Sequence, residues 1–186
     1  MKKPAGFTLI ELMVVIAIVS ILMTLAVPSF RQMIQSNTIS SNVNNFLADM
    51  RFARSEAIRR GGGVIMCRSD APEAASPVCG SGSGPGTNGW VSGWIIFLDA
   101  DNDLTRTASS ADPVLRVQAP ITAMDSIVEI STPTKFRFTA TGRLTLGGIT
   151  SMQFGGGNYA NTVQRMVCVS VGGRARVAGD GYASCS

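Results

Sequence analysis

Four groups of residues in this 186-residue chain have the types and spacing that chemistry needs. Cys67, Cys79, Cys168 and Cys185 form an even set of thiols. Asp99-Ala100-Asp101-Asn102-Asp103 alternates oxygen ligands along the chain, as the opening of a calcium loop does. Gly173-Arg174-Ala175-Arg176 sets two guanidinium groups two residues apart, and in a strand these project from one face as a fork suited to phosphate. Glu11 lies inside an apolar run, where a carboxylate costs roughly 2.5 to 3.5 kcal/mol on insertion scales and finds a partner or marks function. The simpler reading of Glu11 is a carboxylate near a helix end that snorkels to the interface.

Several chemistries are already closed. The sequence holds no histidine, which removes imidazole bases, Ser-His-Asp and Cys-His nucleophile systems, and metal sites built on His ligands. The calcium-loop match fails at its sixth position, Leu104 in place of glycine, and at its twelfth, Ser110 in place of a bidentate glutamate. A solvated Asp/Asn turn, with no metal and no cofactor, is therefore the expectation at Asp99–Asp103, and a looser calcium site is the alternative. An exported enzyme would need a nucleophile–base pair or a ligand cluster, and none is visible, so the chain is not expected to be an enzyme.

The elements that position these groups begin with a helix. Met1–Gly6, MKKPAG, is a short basic leader, and from Leu12 to Val27 only Ser20 and Thr24 are polar. The stretch Phe7–Val27 would span about 30 Å as a helix, the hydrocarbon thickness of a bilayer. Lys2 and Lys3 before it, with no basic residue immediately after, place the leader on the cytoplasmic side and the remainder outside. A cleavable secretory signal would end in small residues, and Pro28-Ser29-Phe30 offers no such site. Phe30, Met33, Ile34, Val43, Phe46, Leu47, Met50, Ala53, Ala57 and Ile58 then recur mostly at three- and four-residue steps, continuing the same helix in amphipathic form to about Arg60. Pro28 should kink it or open its hydrogen bonding, and Gly61-Gly62-Gly63 should stop it.

Beyond the glycines the pattern changes to short apolar runs between turn residues. Candidate strands are Val64–Arg68, Trp90–Leu98, Val114–Gln118, Ile127–Ser131, Lys135–Thr139, Arg143–Leu146, Ile149–Phe154, Gln164–Val171 and Arg174–Val177. Ser69–Gly89 and Asn102–Asp112 read as loops. Within the Trp90–Leu98 strand, Trp90 and Trp94 would face the same side and fill a core. The expected class is α+β: a long helix packed on a mainly antiparallel, β-rich head over 61–186. In an exported head the cysteines should form disulfides. Three pairings exist, and Cys67–Cys79 with Cys168–Cys185 is preferred because each closes over one strand or turn-rich loop.

Gly6-Phe7-Thr8-Leu9-Ile10-Glu11, followed by some twenty apolar residues, resembles the prepilin signature of type IV pilins and type II secretion pseudopilins. The head resembles the GspH/FimT group within them, through Trp90-Val91-Ser92-Gly93-Trp94-Ile95-Ile96-Phe97, Phe138-Thr139-Ala140-Thr141-Gly142-Arg143 and Cys168-Val169-Ser170 before Gly173-Arg174. The resemblance implies a leader over 1–6, a membrane and filament-core half-helix over 7–28, and an amphipathic half over 29–60. It implies cleavage between Gly6 and Phe7 by prepilin peptidase, N-methylation of Phe7, and a Glu11 carboxylate that meets the charged amino terminus of a neighbouring subunit. Opposite charges buried together in a helical bundle satisfy each other where neither is tolerated alone. It further implies a non-enzymatic subunit anchored in the bacterial inner membrane with a periplasmic head. Its partners would be other minor and major pilins or pseudopilins. A FimT/FimU-like minor pilin that primes or caps a pilus is the leading expectation, and a GspH-like minor pseudopilin of a type II secretion system is the alternative.

The Gly173–Arg176 segment also matches the GRxR element of the DNA-binding FimT branch, which adds double-stranded DNA, held through its backbone, to the expected partners. Charge partition points the same way. Lys135, Arg137, Arg143, Arg165, Arg174 and Arg176 face only Asp180 over 130–186, whereas residues 63–129 hold three arginines against eight acids. Arg174, Arg176, Arg143 and Arg165 are the candidate DNA ligands. The competing reading is a solvated strand edge, where positive charge blocks edge-to-edge pairing.

Overall fold

The computed structural model describes residues 8–107, 112–130, 135–181 and 183–185. One helix, α1, runs unbroken from Leu9 to Arg60, 52 residues or roughly 78 Å. Pro28 lies inside it and withholds one backbone donor from the preceding turn. The helix stops at Gly61, whose left-handed backbone (φ 83°) lets its N–H return to the Ala57 carbonyl. The next strand follows without a loop.

Nine strands complete the head: β1 Gly62–Arg68, β2 Trp94–Leu98, β3 Val114–Gln118, β4 Ser126–Glu129, β5 Lys135–Thr139, β6 Leu144–Leu146, β7 Thr150–Gly155, β8 Arg165–Val169 and β9 Ala175–Gly179. They form two sheets, of order β3-β2-β1-β5-β6 and β4-β7-β8-β9, antiparallel throughout. The fold is α+β. Val64 and Met66 of β1 turn toward the helix, while Ile65 and Cys67 turn away and pack with Ile95 and Phe97 beneath Cys79 and Leu104. Period-two alternation thus gives the first sheet a core on each face.

The carboxyl half of α1 buries Ile39, Val43, Phe46, Leu47, Met50, Ala53 and Ala57 against both sheets. At its centre the Phe46 ring makes edge-on contacts with Trp90 (5.9 Å), Trp94 (5.7 Å), Phe136 (6.3 Å) and Phe154 (5.6 Å). One turn along, the buried Asp49 accepts from Trp94 Nε1 at 2.8 Å and from Arg116 Nη1 at 2.6 Å. Arg116 also lies over the Phe52 ring, 4.2 Å from its centroid.

Several boundaries differ from the sequence expectation. The Trp90–Leu98 run is not one strand: Trp90–Ser92 is a turn of 3-10 helix, and β2 begins only after Gly93. Both indoles are buried because the turn folds Trp90 back onto Phe46. Gly62 and Gly63 already belong to β1. Arg143, Gln164 and Arg174 stand just outside the strands expected to contain them, since each borders a turn whose hydrogen bonds compete with the ladder, and Ile130, Ile149, Ser170 and Val171 also fall outside theirs. Ser131 and Ser110 lie outside the described residues.

The loop after β1 is stapled rather than free. Cys67 and Cys79 form a disulfide, as do Cys168 and Cys185. The fully buried Arg68 pairs with Asp70 and donates to the carbonyls of Ser81 (2.6 Å) and Gly82 (3.3 Å). Beside it, Trp90 Nε1 and Glu129 Oε2 are buried without a hydrogen-bond partner of normal geometry among the described residues. Burial raises the Glu129 carboxyl from 4.5 to about 7, against the opposing pull of the Trp90 N–H and the Arg68 charge.

Two consequences are measurable. Truncating Phe46 to Ala should cost about 3–5 kcal/mol by leaving a cavity among four rings. Denaturant unfolding followed by tryptophan fluorescence would show it, and a loss below about 1 kcal/mol would mean that the ring is not central. Because the folded-state value of Glu129 is raised, its contribution to stability is fully present below about pH 4.5 and is lost as pH rises through about 7. Glu129→Gln should therefore flatten the stability profile across that window and gain on the order of 1 kcal/mol at pH 8, after allowance for partial solvent access. An unchanged slope between pH 5 and 8 would contradict this.

Candidate functional site

Among the described residues, two regions are left with unsatisfied surface. The first is the amino half of α1. Every residue from Thr8 to Ile34 is exposed, including Leu9, Ile10, Leu12, Met13, Ile16 and Leu25, so this apolar cylinder has no cover among the described residues. It is long and apolar enough to cross a membrane. Thr8 caps it, accepting from Glu11 N at 3.3 Å, while Glu11 Oε2 reaches back to Thr8 N at 3.5 Å. That reciprocal pair is a capping box, which explains a carboxylate at this point from local geometry. The return contact is long, and the carboxylate remains exposed. Gly6 and Phe7 lie outside the described residues.

The second region is a corner where α1 meets one turn from each sheet. The β5–β6 turn, Ala140–Arg143, is tied by the Thr139 hydroxyl, which accepts from Arg143 N at 3.1 Å. The β8–β9 turn is closed by Gly173 N to Ser170 O (2.8 Å) and Ser170 N to Arg174 O (2.9 Å). Leu144 N donates to Val171 O at 2.8 Å, joining the two sheets there. The turns abut so closely that a β-carbon on Gly173 would stand 2.2 Å from the Gly142 carbonyl oxygen, and Gly173 also has a φ of 72°. Only glycine permits that approach.

This docking fixes the arginines. Arg174 precedes β9, Arg176 lies in it opposite Cys168, and both are exposed. Both border a cavity of about 410 Å³ floored by Ile149, Val169 and the Cys168–Cys185 bridge. Arg143 is exposed on the abutting turn. Arg165 does not join them. It starts β8 at the opposite end from Val169, about 13 Å away, and its Nη1 is turned onto the carbonyls of Thr162, Val163 and Gln164.

Two cations not singled out in the sequence do reach the corner. Arg51 and Arg54 of α1, with Met50, share a cavity of about 320 Å³ with Gly173, Arg174 and Ala175. Arg54 Nε lies 2.7 Å from where a Gly142 β-carbon would stand. A signal existed: no acid stands three or four residues from Arg51 or Arg54, whereas Arg59 and Arg60 have Glu56 at that spacing. The Glu56 carboxylate is bound by Arg59 at 2.6 Å and Arg60 at 2.7 Å, which lowers it to about 2.

The acidic turn serves structure. Asp99, Asp101 and Asp103 bring their carboxylate oxygens within 4.8 Å of one another. Buried Asp99 accepts from Leu104 N and Arg137 Nε, both at 3.3 Å, and Arg137 also reaches Asn102. Lys135 Nζ donates to Leu104 O at 2.7 Å. Thr105 N and its hydroxyl donate to Asp103 and lower its carboxyl. The turn is thus latched to β5 by two cations.

Comparison with known proteins agrees with this architecture. The family model described as type II transport protein GspH matches residues 42–173, and that of the prokaryotic N-terminal methylation motif matches residues 1–27. No curated protein matches the chain. Among solved structures, it is similar to the type IV minor pilin FimU of Pseudomonas aeruginosa strain PAO1 in two crystal forms. The P21 form is 20% identical with a TM-score of 0.57, over 81% of this chain and 95% of that one. The P65 form is 18% identical with a TM-score of 0.51, over 79% and 98%. This family and fold are those of structural pilins rather than enzymes. The GspH match takes in well over half of the residues, and with the methylation motif before it the chain belongs to the GspH family of minor pilins and pseudopilins.

Proposed function

We propose that this chain is a minor type IV pilin that primes or caps a pilus. Prepilin peptidase cuts it between Gly6 and Phe7 and methylates Phe7, and the head then stands in the periplasm on a helix anchored in the inner membrane. The observation that carries the proposal is the uncovered apolar half of α1. Lipid satisfies that surface in the membrane, and outside it only the apolar helices of other subunits can keep it from water, through close packing and hydrophobic burial. Glu11 fits the same account. Its intrachain contact is long and exposed, which leaves the carboxylate available to the terminal ammonium of a neighbour. The fork of Arg174 and Arg176, with Arg143 beside it, contacts the phosphate backbone of double-stranded DNA during uptake. The description of the matching family favours a second reading, a minor pseudopilin of a type II secretion system. A deletion strain separates the two, since the first predicts loss of piliation and the second loss of protein secretion.

Processing and assembly are tested separately. Gly6→Leu should leave a precursor that migrates above the mature chain on a gel, and normal processing would defeat the prepilin assignment. Glu11→Val should insert into the membrane as wild type does yet be recovered in sheared filaments at no more than a tenth of the usual amount. Equal recovery would dismiss the carboxylate–ammonium pairing.

A further inference from the structure

Most cations of the head are spent on the protein itself. Arg59 and Arg60 hold Glu56, Arg68 holds Asp70, Arg116 holds Asp49, and Arg137 holds Asp99. Arg106, Lys135 and Arg165 donate to backbone carbonyls. Among the described residues beyond Ile34, where the helix begins to pack on the head, Arg51, Arg54, Arg143 and Arg174 have no ion pair and no side-chain hydrogen bond. All four stand at the single corner where α1, the β5–β6 turn and the β8–β9 turn meet.

We infer that this corner is a phosphate-binding cleft in which the helix supplies half of the charge, so that bound duplex DNA crosses from β9 onto Arg51 and Arg54 of α1. The inference rests on the DNA reading proposed above and extends it to two residues outside the Gly173–Arg176 segment. Four like charges gathered without a counter-charge repel one another, and an anion at the cleft removes that cost. No acid of the same helix half is available for the task. Asp49 is buried beneath Trp94 and Arg116, and Glu56 is held by Arg59 and Arg60. The cavity of about 320 Å³ has room for roughly ten waters, hence for a phosphodiester group with part of its hydration.

The source of the phosphate follows from the length of the helix. Arg51 lies 24 residues beyond Val27, roughly 36 Å along α1, several screening lengths from the headgroups of the membrane that holds Phe7–Val27. Lipid phosphate is out of reach of an anchored subunit. A nucleic acid approaching the head is not.

The test uses the full-length chain in a neutral detergent and a fluorescent random-sequence duplex of thirty base pairs, titrated from 50 to 300 mM salt. The paired variant Arg51→Gln/Arg54→Gln should weaken binding about ten- to sixtyfold at 0.1 M salt and reduce the slope of log K against log salt by about 1.8. Arg51→Lys/Arg54→Lys should keep the slope, which separates charge from folding. Arg59→Gln/Arg60→Gln, on the same helix but engaged by Glu56, should change neither. If wild type binds and Arg174→Gln/Arg176→Gln weakens it while Arg51→Gln/Arg54→Gln does not, the helix contribution is refuted and the DNA reading stands. If wild type shows no salt-sensitive binding, both fall. If Arg51→Gln/Arg54→Gln binds DNA normally but no longer co-purifies with neighbouring pilins, the cleft belongs to a protein contact and the inference is wrong.

Discussion

The docking of Phe46 between the two sheets is the contact on which the other positions depend. Its ring meets Trp94 and Phe136 from the first sheet, Phe154 from the second and Trp90 from the connecting turn, so one side chain sets the rotation of the helix against everything else. At 100° per residue, Met50, Ala53 and Ala57 then fall on the same inner face. Arg54 and Arg51 fall about 80° and 140° round from Phe46, at the rim where the helix leaves the sheets. The basic corner is thus a by-product of the core register. A helix turned by one residue would either bury those guanidinium groups or carry them away from Arg174.

The two halves of α1 face one problem and solve it differently. The carboxyl half covers its apolar stripe with its own sheets, and even admits a carboxylate there, because Asp49 receives an indole N–H and a guanidinium and leaves no buried charge unpaired. The amino half is apolar on all sides and covered on none. A helix of that kind is stable in lipid or in a bundle and not in water. Head and half-helix therefore specify two environments within one continuous element, and a change in the neighbours of the second would leave the core of the first undisturbed.

Much of this was legible in the residues, for reasons that are local. The apolar run and its period marked the helix, the glycines from Gly61 marked its end, and the short apolar run Val64-Ile65-Met66-Cys67 marked a strand. What escaped depended on pairing across the chain. Trp90 and Trp94 share a core, but through a 3-10 turn and Gly93 rather than by strand alternation. Net charge by segment separated an acidic middle from a basic end, yet Arg137 and Lys135 of the basic end latch the Asp99 turn of the acidic middle, while Arg116 of the middle neutralises Asp49 of the helix. Arg165 likewise is consumed by carbonyls. The informative quantity was never the sum of charges but which cations remain after pairing, and only helix spacing around Arg51 and Arg54 disclosed part of it.

The strand edge offers the sharpest contrast between the structural and the functional reading of the same residue type. β9 is an outer strand of its sheet, and a positive side chain on such an edge discourages pairing with another chain. Arg176 lies in that ladder, opposite Cys168, and edge protection accounts for it. Arg174 precedes the ladder, on a turn pressed against Gly142, where no edge needs guarding. Arg51 and Arg54 are on a helix, to which the argument does not apply at all. A purely structural explanation therefore covers one of the two arginines in the Gly173–Arg176 segment and neither of the helical pair. The three it leaves over surround one cavity.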